Sequence, residues 1–283
     1  MISDIAVVVD SAGYLPATLI ERHGLFVVPL SVVLDGEEFL ETEITPDEFY
    51  ERLPRARSVS TSQPSVGRLI DCYHRAAEAG ARSILSIHIG SNISGTVQAA
   101  RLAAESAPVP VQIVDTRLAS FAEGLCVLEA LEALEEGASP EDAARRCEAA
   151  SSCVGNTFIV KALDLMRGGG RLAVGATEPA TGIPVMTFGA EGAKVAGSAA
   201  TVEEAVEIMA QQVRAAAETK DARRLRVGVG HGAAAEVASA LHRRLLDTPG
   251  IDEIIDYVVG PAVGAHVGAG NVGAVFLPRP VRV

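Results

Sequence analysis

The sequence predicts an α/β protein whose first half is built on a parallel sheet with helices on both faces. Three observations carry this. Continuous β-rich apolar runs alternate with helical stretches along the first 150 or so residues. The runs carry no polar alternation, as expected of strands buried on both faces. Helix-start signals recur between them, which gives the βαβα rhythm of a parallel sheet.

Ile5–Val9 reads as the first strand, ended by Asp10-Ser11-Ala12-Gly13. Phe26–Val33 reads as a second strand. Thr45-Pro46-Asp47-Glu48 has the capping-box spacing with Pro at the first helical position, so a helix begins there. Ser83–Ile89 and Val111–Val114 read as the third and fourth strands. Helical stretches lie between, notably Val66–Ala79, Ser94–Glu105 and Arg117–Glu136. Ser139-Pro140-Glu141-Asp142 opens one more helix, ending near Ser152. After it the rhythm changes, and a domain boundary is expected near residue 153. A glycine-rich segment runs from Gly168 to Gly197 and suggests short strands and turns. Thr201 caps a helix with apolar positions Val202, Ala205, Val206, Met209 and Val213 at helical spacing. Leu225–Val229 and Ile254–Val259 read as strands around the helix Ala233–Leu246, and a final strand follows Asn271. Gly228–Gly232 reads as a tight turn, since it lacks the spacing of a dinucleotide-binding loop.

Composition excludes several functions. The chain has 283 residues, and 24 basic against 36 acidic residues leave a net charge of −12. With a pI near 5.0, it is not built to grip phosphate backbones by bulk charge. Aromatics make up 4% with no Trp, too few for a platform that stacks bases, so no nucleic acid is expected. No apolar run reaches the ~18 residues that a membrane span needs, and no basic n-region precedes an apolar segment at the N-terminus. Cys72, Cys126, Cys147 and Cys153 form no C-x-x-C pair and read as reduced thiols of a cytoplasmic protein. The six histidines show no metal-ligand spacing, and no P-loop or G-x-S-x-G elbow is present, so no metal and no cofactor are expected.

Polar residues concentrate where strands end, which is where open parallel sheets bind ligands. Three segments stand out: Asp10-Ser11, Ser60–Ser65 with Thr61 and Ser62, and Ser91–Thr96 with Ser94 and Gly95. Hydroxyls and free backbone N–H groups at helix N-termini favour an anion. Ser94 can equally be a helix cap, but both serine-rich segments hold more hydroxyls than one cap requires. A fourth segment, Gly260–Gly270, places His266 in a loop of small residues. That histidine can donate to a carboxylate or phosphate, or it can be satisfied by a neighbouring carbonyl.

In this order and spacing the motifs resemble the DegV family of bacterial fatty-acid-binding proteins. The resemblance rests on Asp10-Ser11, Thr61-Ser62-Gln63-Pro64, Ser91 with Ser94-Gly95-Thr96, and Val114-Asp115-Thr116. It continues through Gly169-Gly170-Arg171 and Gly230-His231 to Gly260-Pro261 and Gly264-x-His266-x-Gly268-x-Gly270. It implies an N-terminal three-layer α/β/α domain over residues 1–153 and a C-terminal two-layer α/β domain with a mixed sheet over 154–283. It further implies a tunnel for one long-chain fatty acid, such as a C16–C18 acid, whose carboxylate is held by Thr61, Ser94 and His266. Asp10, Ser11, Ser62, Ser91, Gly95, Thr96 and Arg171 are then supporting residues. Some family members are the acyl-carrying subunits of a fatty acid kinase and are not themselves catalysts, and a monomer is expected. This chain departs from the family pattern in a shortened segment after Arg171 and in lacking a basic stretch before Thr201. An alternative from another class is an acyl hydrolase or transferase with Ser94 as nucleophile and His266 as base; a lipid carrier without a kinase partner is the other.

Overall fold

The structure is a computed structural model that describes residues 4–160, 163–168, 170, 182–189, 192–218 and 224–279. The chain opens with β1 (Ile5–Asp10), α1 (Ala17–His23), β2 (Phe26–Val28), β3 (Ser31–Leu34) and β4 (Glu37–Leu40), followed by α2 (Pro46–Arg52). Next come β5 (Val59–Ser62), α3 (Val66–Glu78), β6 (Ser83–His88), α4 (Thr96–Ala104), β7 (Val111–Asp115), α5 (Phe121–Glu135) and α6 (Pro140–Ser151). The remainder holds β8 (Gly155–Ile159), α7 (Leu163–Gly168), β9 (Ile183–Gly189), β10 (Gly192–Ala199), α8 (Val202–Ala217), β11 (Arg224–Gly232), α9 (Ala235–Leu245), β12 (Ile251–Val258), α10 (Pro261–Val267) and β13 (Asn271–Arg279). Two compact units result: Met1–Ile44 with Ser58–Ser152, and Thr45–Arg57 with Cys153–Val283. The excursion that carries α2 into the second unit has no marker in the sequence.

The first unit contains a parallel sheet in the order β2-β1-β6-β7 and a small antiparallel sheet in the order β4-β3-β5. Ala6 and Val8 of β1 and Ile84 of β6 pack with Leu69, Cys72 and Tyr73 of α3 and Ala99, Ala100 and Ala103 of α4. Strand side chains alternate faces, so Val7, Val9, Leu85 and Ile87 point the other way, and they too are buried. On that side α6 packs on β6 and β7, and α5 packs on α6 and on the turn after β1. Helices therefore cover both faces, as the unbroken apolar runs predicted. The sequence-predicted caps are in place: Thr45 accepts from the Glu48 N–H, Ser139 from Asp142 and Thr201 from Glu204.

Phe26–Val33, expected as one strand, is two. Pro29 lacks the N–H a ladder needs, and the chain turns there out of the parallel sheet into the small one.

The second unit is a six-stranded mixed sheet in the order β10-β9-β8-β13-β11-β12, antiparallel except for the β11–β12 pair. Met209 and Val213 of α8 and Leu241 and Leu245 of α9 pack on Ile159, Val185, Val227, Val229 and Val272 to form the main core. Each such side chain contributes about 1.5–3 kcal/mol on burial. Residues of opposite parity, Val160 and Met186, form a second apolar cluster with Met166 of α7 and Ala193, flanked by Phe158, Phe188 and Val267. Gly228–Gly232, expected as a tight turn, lies inside β11. No helix of the described residues is long and apolar enough to cross a membrane.

Candidate functional site

The polar end of the first unit is assembled at the carboxyl ends of β1 and β6. Asp10, almost fully buried at the end of β1, accepts from the N–H of Ala12 at 3.0 Å and of Ile89 at 2.8 Å. Its Oδ2 also meets His88 Nδ1 at 3.2 Å, while His88 Nε2 lies 2.7 Å from Ser86 Oγ and Ser86 Oγ 3.0 Å from Tyr73 OH. This buried chain runs from Tyr73 to Asp10 and, through the Ile89 N–H, fixes the start of the loop that follows β6. Burial pushes the Tyr73 phenol up to about 12, against the opposing hydrogen bond from Ser86. Asp10 and His88 therefore serve as structure.

Ser11 extends the same assembly. Its Oγ accepts from the Leu30 N–H at 3.0 Å and donates to Glu41, whose other oxygen accepts from Tyr14 OH at 3.1 Å. Beside them Glu123 on α5 is wholly buried, and neither of its oxygens has a hydrogen-bond partner. Its burial, and then the neighbouring carboxylates of Asp10 and Glu41, hold its pKa well above the usual carboxylate range, which favours the neutral acid.

Ser91 is committed elsewhere. Its N–H and Oγ bind Asp115 at 3.0 and 2.5 Å, and Asp115 also accepts from the Arg117 N–H. Burial would raise the Asp115 pKa, but the hydrogen bonds from the Ser91 hydroxyl and from the N–H groups of Ser91 and Arg117 outweigh it and hold the carboxyl below its usual value.

Ser94 differs. Its Oγ lies 2.8 Å from Thr96 Oγ1 and accepts a long 3.4 Å bond from the Thr96 N–H. It is not the cap of α4: that position belongs to Gly95, which offers no side-chain acceptor, and the first turn carries no acidic residue. The N-terminus of this nine-residue helix keeps its positive end, with the Thr96 N–H turned to the Ser94 hydroxyl. Thr61 lies on β5 opposite Val32, half-buried, with the exposed Ser62 next to it. The two segments meet through Gln63. A Cβ on Gly95 would sit 2.0 Å from Gln63 Oε1, so the amide occupies the space a side chain would fill. Glycine at 95 is what lets the β5 segment close on the Ser94 turn.

His266 belongs to the second unit. The loop expected around it is a short helix, α10, with Pro261 at its first position and Gly268 (φ 76°) after its end. Gly264 and Gly232 sit against Tyr50 of α2, where an added Cβ would come within 2.6 and 2.1 Å of its hydroxyl. That hydroxyl donates to the Val259 carbonyl at 2.9 Å, and Asn271 Nδ2 bonds the Gly268 carbonyl at 2.6 Å. Gly264 of this motif and Gly232 of β11 serve close packing on α2. Burial lowers the pKa of His231, at the end of β11, against the pull of Asp256 and Asp47. Arg171 lies outside the described residues. Cys72, Cys126, Cys147 and Cys153 are free thiols, and among the described residues no group of three or more His, Cys, Asp or Glu side chains is placed to hold a metal. Sequence reasoning missed Gln63 as a contact and missed Glu41 and Glu123 entirely; acidic residues carry no sequence signal of burial.

A parallel-sheet unit that gathers hydroxyls at a helix N-terminus, together with a mixed-sheet unit that carries a histidine on a glycine-packed helix, defines a class of two-unit α/β proteins. The particular family follows from comparison: the model described as "Uncharacterised protein, DegV family" matches residues 4–279, and the chain belongs to the DegV family. A DegV domain-containing protein of Streptomyces coelicolor is 38% identical over 97% of this chain and 99% of its own length. The structure of a fatty-acid-binding DegV family protein from Thermus thermophilus superposes with a TM-score of 0.89 at 33% identity, covering 97% of this chain and 99% of the other. DegV of Bacillus subtilis, described as a fatty acid binding protein, superposes with a TM-score of 0.86 at 27% identity over 98% of this chain and 100% of its own.

Proposed function

We propose that this protein binds a long-chain fatty acid of about sixteen to eighteen carbons, with Thr61 and Ser94 donating to the carboxylate and His266 completing the polar end. The observation that supports the reading is the seat of Gln63, two residues after Thr61, on Gly95, the residue after Ser94. Fatty-acid binding by the Thermus and Bacillus relatives supports it. A chain of about sixteen carbons transfers roughly fifteen CH₂ and CH₃ groups at ~0.8 kcal/mol each, about 12 kcal/mol gross, so the polar end needs only to orient the ligand.

The protein acts as a carrier in the cytoplasm, as a monomer and without cofactor. That the side chain bonded to Ser94 is a hydroxyl, Thr96, and not a base supports carriage over acyl hydrolysis. Presentation of the bound acid to a separate kinase subunit, which would supply ATP and Mg²⁺, is the finer reading. It rests on the family resemblance, against the missing basic stretch before Thr201, and pairing with a candidate kinase tests it by acyl phosphate formation. For the carboxylate site the test is Thr61→Val with Ser94→Ala, read by competition with a fluorescent fatty acid. Each charge-assisted hydrogen bond contributes about 1.5–3 kcal/mol, so affinity falls about tenfold or more. Unchanged affinity overturns the assignment.

A further inference from the structure

We propose that Glu41 is a positioning residue for the carboxylate site: it locks the small antiparallel sheet onto the parallel sheet and so sets where Thr61 stands relative to Ser94. The inference rests on the reading of Thr61 and Ser94 as carboxylate donors. In the small sheet Ser31 pairs with Leu40 on one side and Ser62 on the other, which makes this row one end of the sheet. Thr61 stands one row in, paired with Val32.

Every tie between the two sheets described above leaves from that same end. Leu30, just before Ser31, continues the chain from β2 of the parallel sheet, and its N–H binds Ser11 Oγ. Glu41, just after Leu40, donates its N–H to the Leu30 carbonyl at 2.8 Å and takes the hydroxyls of Ser11 and Tyr14 on its carboxylate. Gln63, just after Ser62, rests on Gly95. One residue advances a strand by about 3.3 Å, so a slip at these ties moves Thr61 by a distance that breaks a hydrogen bond.

Glu41 is the polar member of this set that spans both sheets. It is only 7% exposed, and its carboxylate collects two hydroxyl donors from the segment that follows β1. Such a commitment exceeds what an acid at the end of a surface strand requires, since an exposed acid is satisfied by water. The link is also charge-assisted, the strong kind of hydrogen bond, and its geometry is directional. Glu41 is hydrogen-bonded to Ser11 and to Leu30, and its effect on binding passes through them.

The experiment compares Glu41→Gln, Ser11→Ala and the Thr61→Val/Ser94→Ala double variant by fluorescent fatty-acid competition and by ¹³C NMR of bound carboxyl-labelled oleic acid. The carboxyl resonance reads the hydrogen bonds to the ligand head and is not moved by a mere loss of global stability in the folded, loaded protein. The expected result is roughly a fivefold loss of affinity in Glu41→Gln, part of one charge-assisted bond, with the resonance moved toward its position in the double variant. Ser11→Ala, which cuts the same link from the other side, gives the same direction and serves if Glu41→Gln does not fold. Wild-type affinity and an unmoved resonance in a folded single variant, with the double variant clearly weakened, overturn the positioning role alone. No change in the double variant overturns the carboxylate reading beneath it as well.

Discussion

Replacing Glu123 by Gln should remove a pH-dependent penalty from the fold. Glu123 is wholly buried, both its oxygens lack partners, and burial and the neighbouring charges of Asp10 and Glu41 raise its pKa. Its unfolded-state pKa is the ordinary 4.5, and the folded-state value lies well above it. Between those two values the folded state holds a proton that the unfolded state has released. Stability therefore falls as pH rises through this window, by about 1.4 kcal/mol per pH unit, and levels off above the folded pKa. The amide has nearly the same shape and cannot ionise, so the variant lacks this slope. The gain of Glu123→Gln over wild type should thus be near zero at pH 4.5, grow by about 1.4 kcal/mol per unit as pH rises, and level off above the folded pKa. Urea unfolding at half-unit steps from pH 5 to 8 reads it as a widening gap in midpoints at constant m-value. A gap that stays constant with pH would mean that Glu123 ionises normally and that its environment has been misread.

Other outcomes follow from the same geometry. Ser91→Ala removes the hydroxyl that helps to depress Asp115. Because a depressed acid stabilises the fold above its unfolded pKa of 3.8 and loses this as pH falls through the folded value, the variant should cost about 0.5–1 kcal/mol at pH 7 and less near pH 3. Its fatty-acid affinity should stay at wild type, which separates Ser91 from Ser94 in a competition assay. Tyr50→Phe leaves the buried Val259 carbonyl without its 2.9 Å partner and should lower stability by about 1–3 kcal/mol in thermal unfolding. Gly264→Ala drives a Cβ to within 2.6 Å of the Tyr50 hydroxyl and 2.9 Å of the Phe49 ring, so α10 must shift; a cost of about 1–3 kcal/mol is expected, and a neutral result would contradict the packing of α10 on α2.

The parallel sheet was legible because its strands are buried on both faces and read as unbroken apolar runs, from Ile5–Val9 to Val111–Val114. The caps at Thr45, Ser139 and Thr201 were legible because capping is local chemistry. The small sheet was not. Its strand β4 is half exposed and half part-buried, and β5 alternates exposed and half-buried residues, so neither carries an apolar run. The break at Pro29 was written in the sequence but was outweighed by the apolar residues around it. α10 was hidden by its glycines, although Pro261 at its start and Gly268 past its end are the ordinary marks of a helix. In the candidate site, the hydroxyl segments around Thr61 and Ser94 stood out by density. The acids behind them did not, because Glu41 and Glu123 read as surface residues until long-range packing buries them.

Native followed by denaturing mass spectrometry of the purified protein, with lipid extraction, tests fatty-acid carriage most directly. One fatty acid of about sixteen to eighteen carbons per chain is expected, lost on denaturation and recovered in the extract. A protein that carries no lipid and takes up no added oleic acid would contradict it.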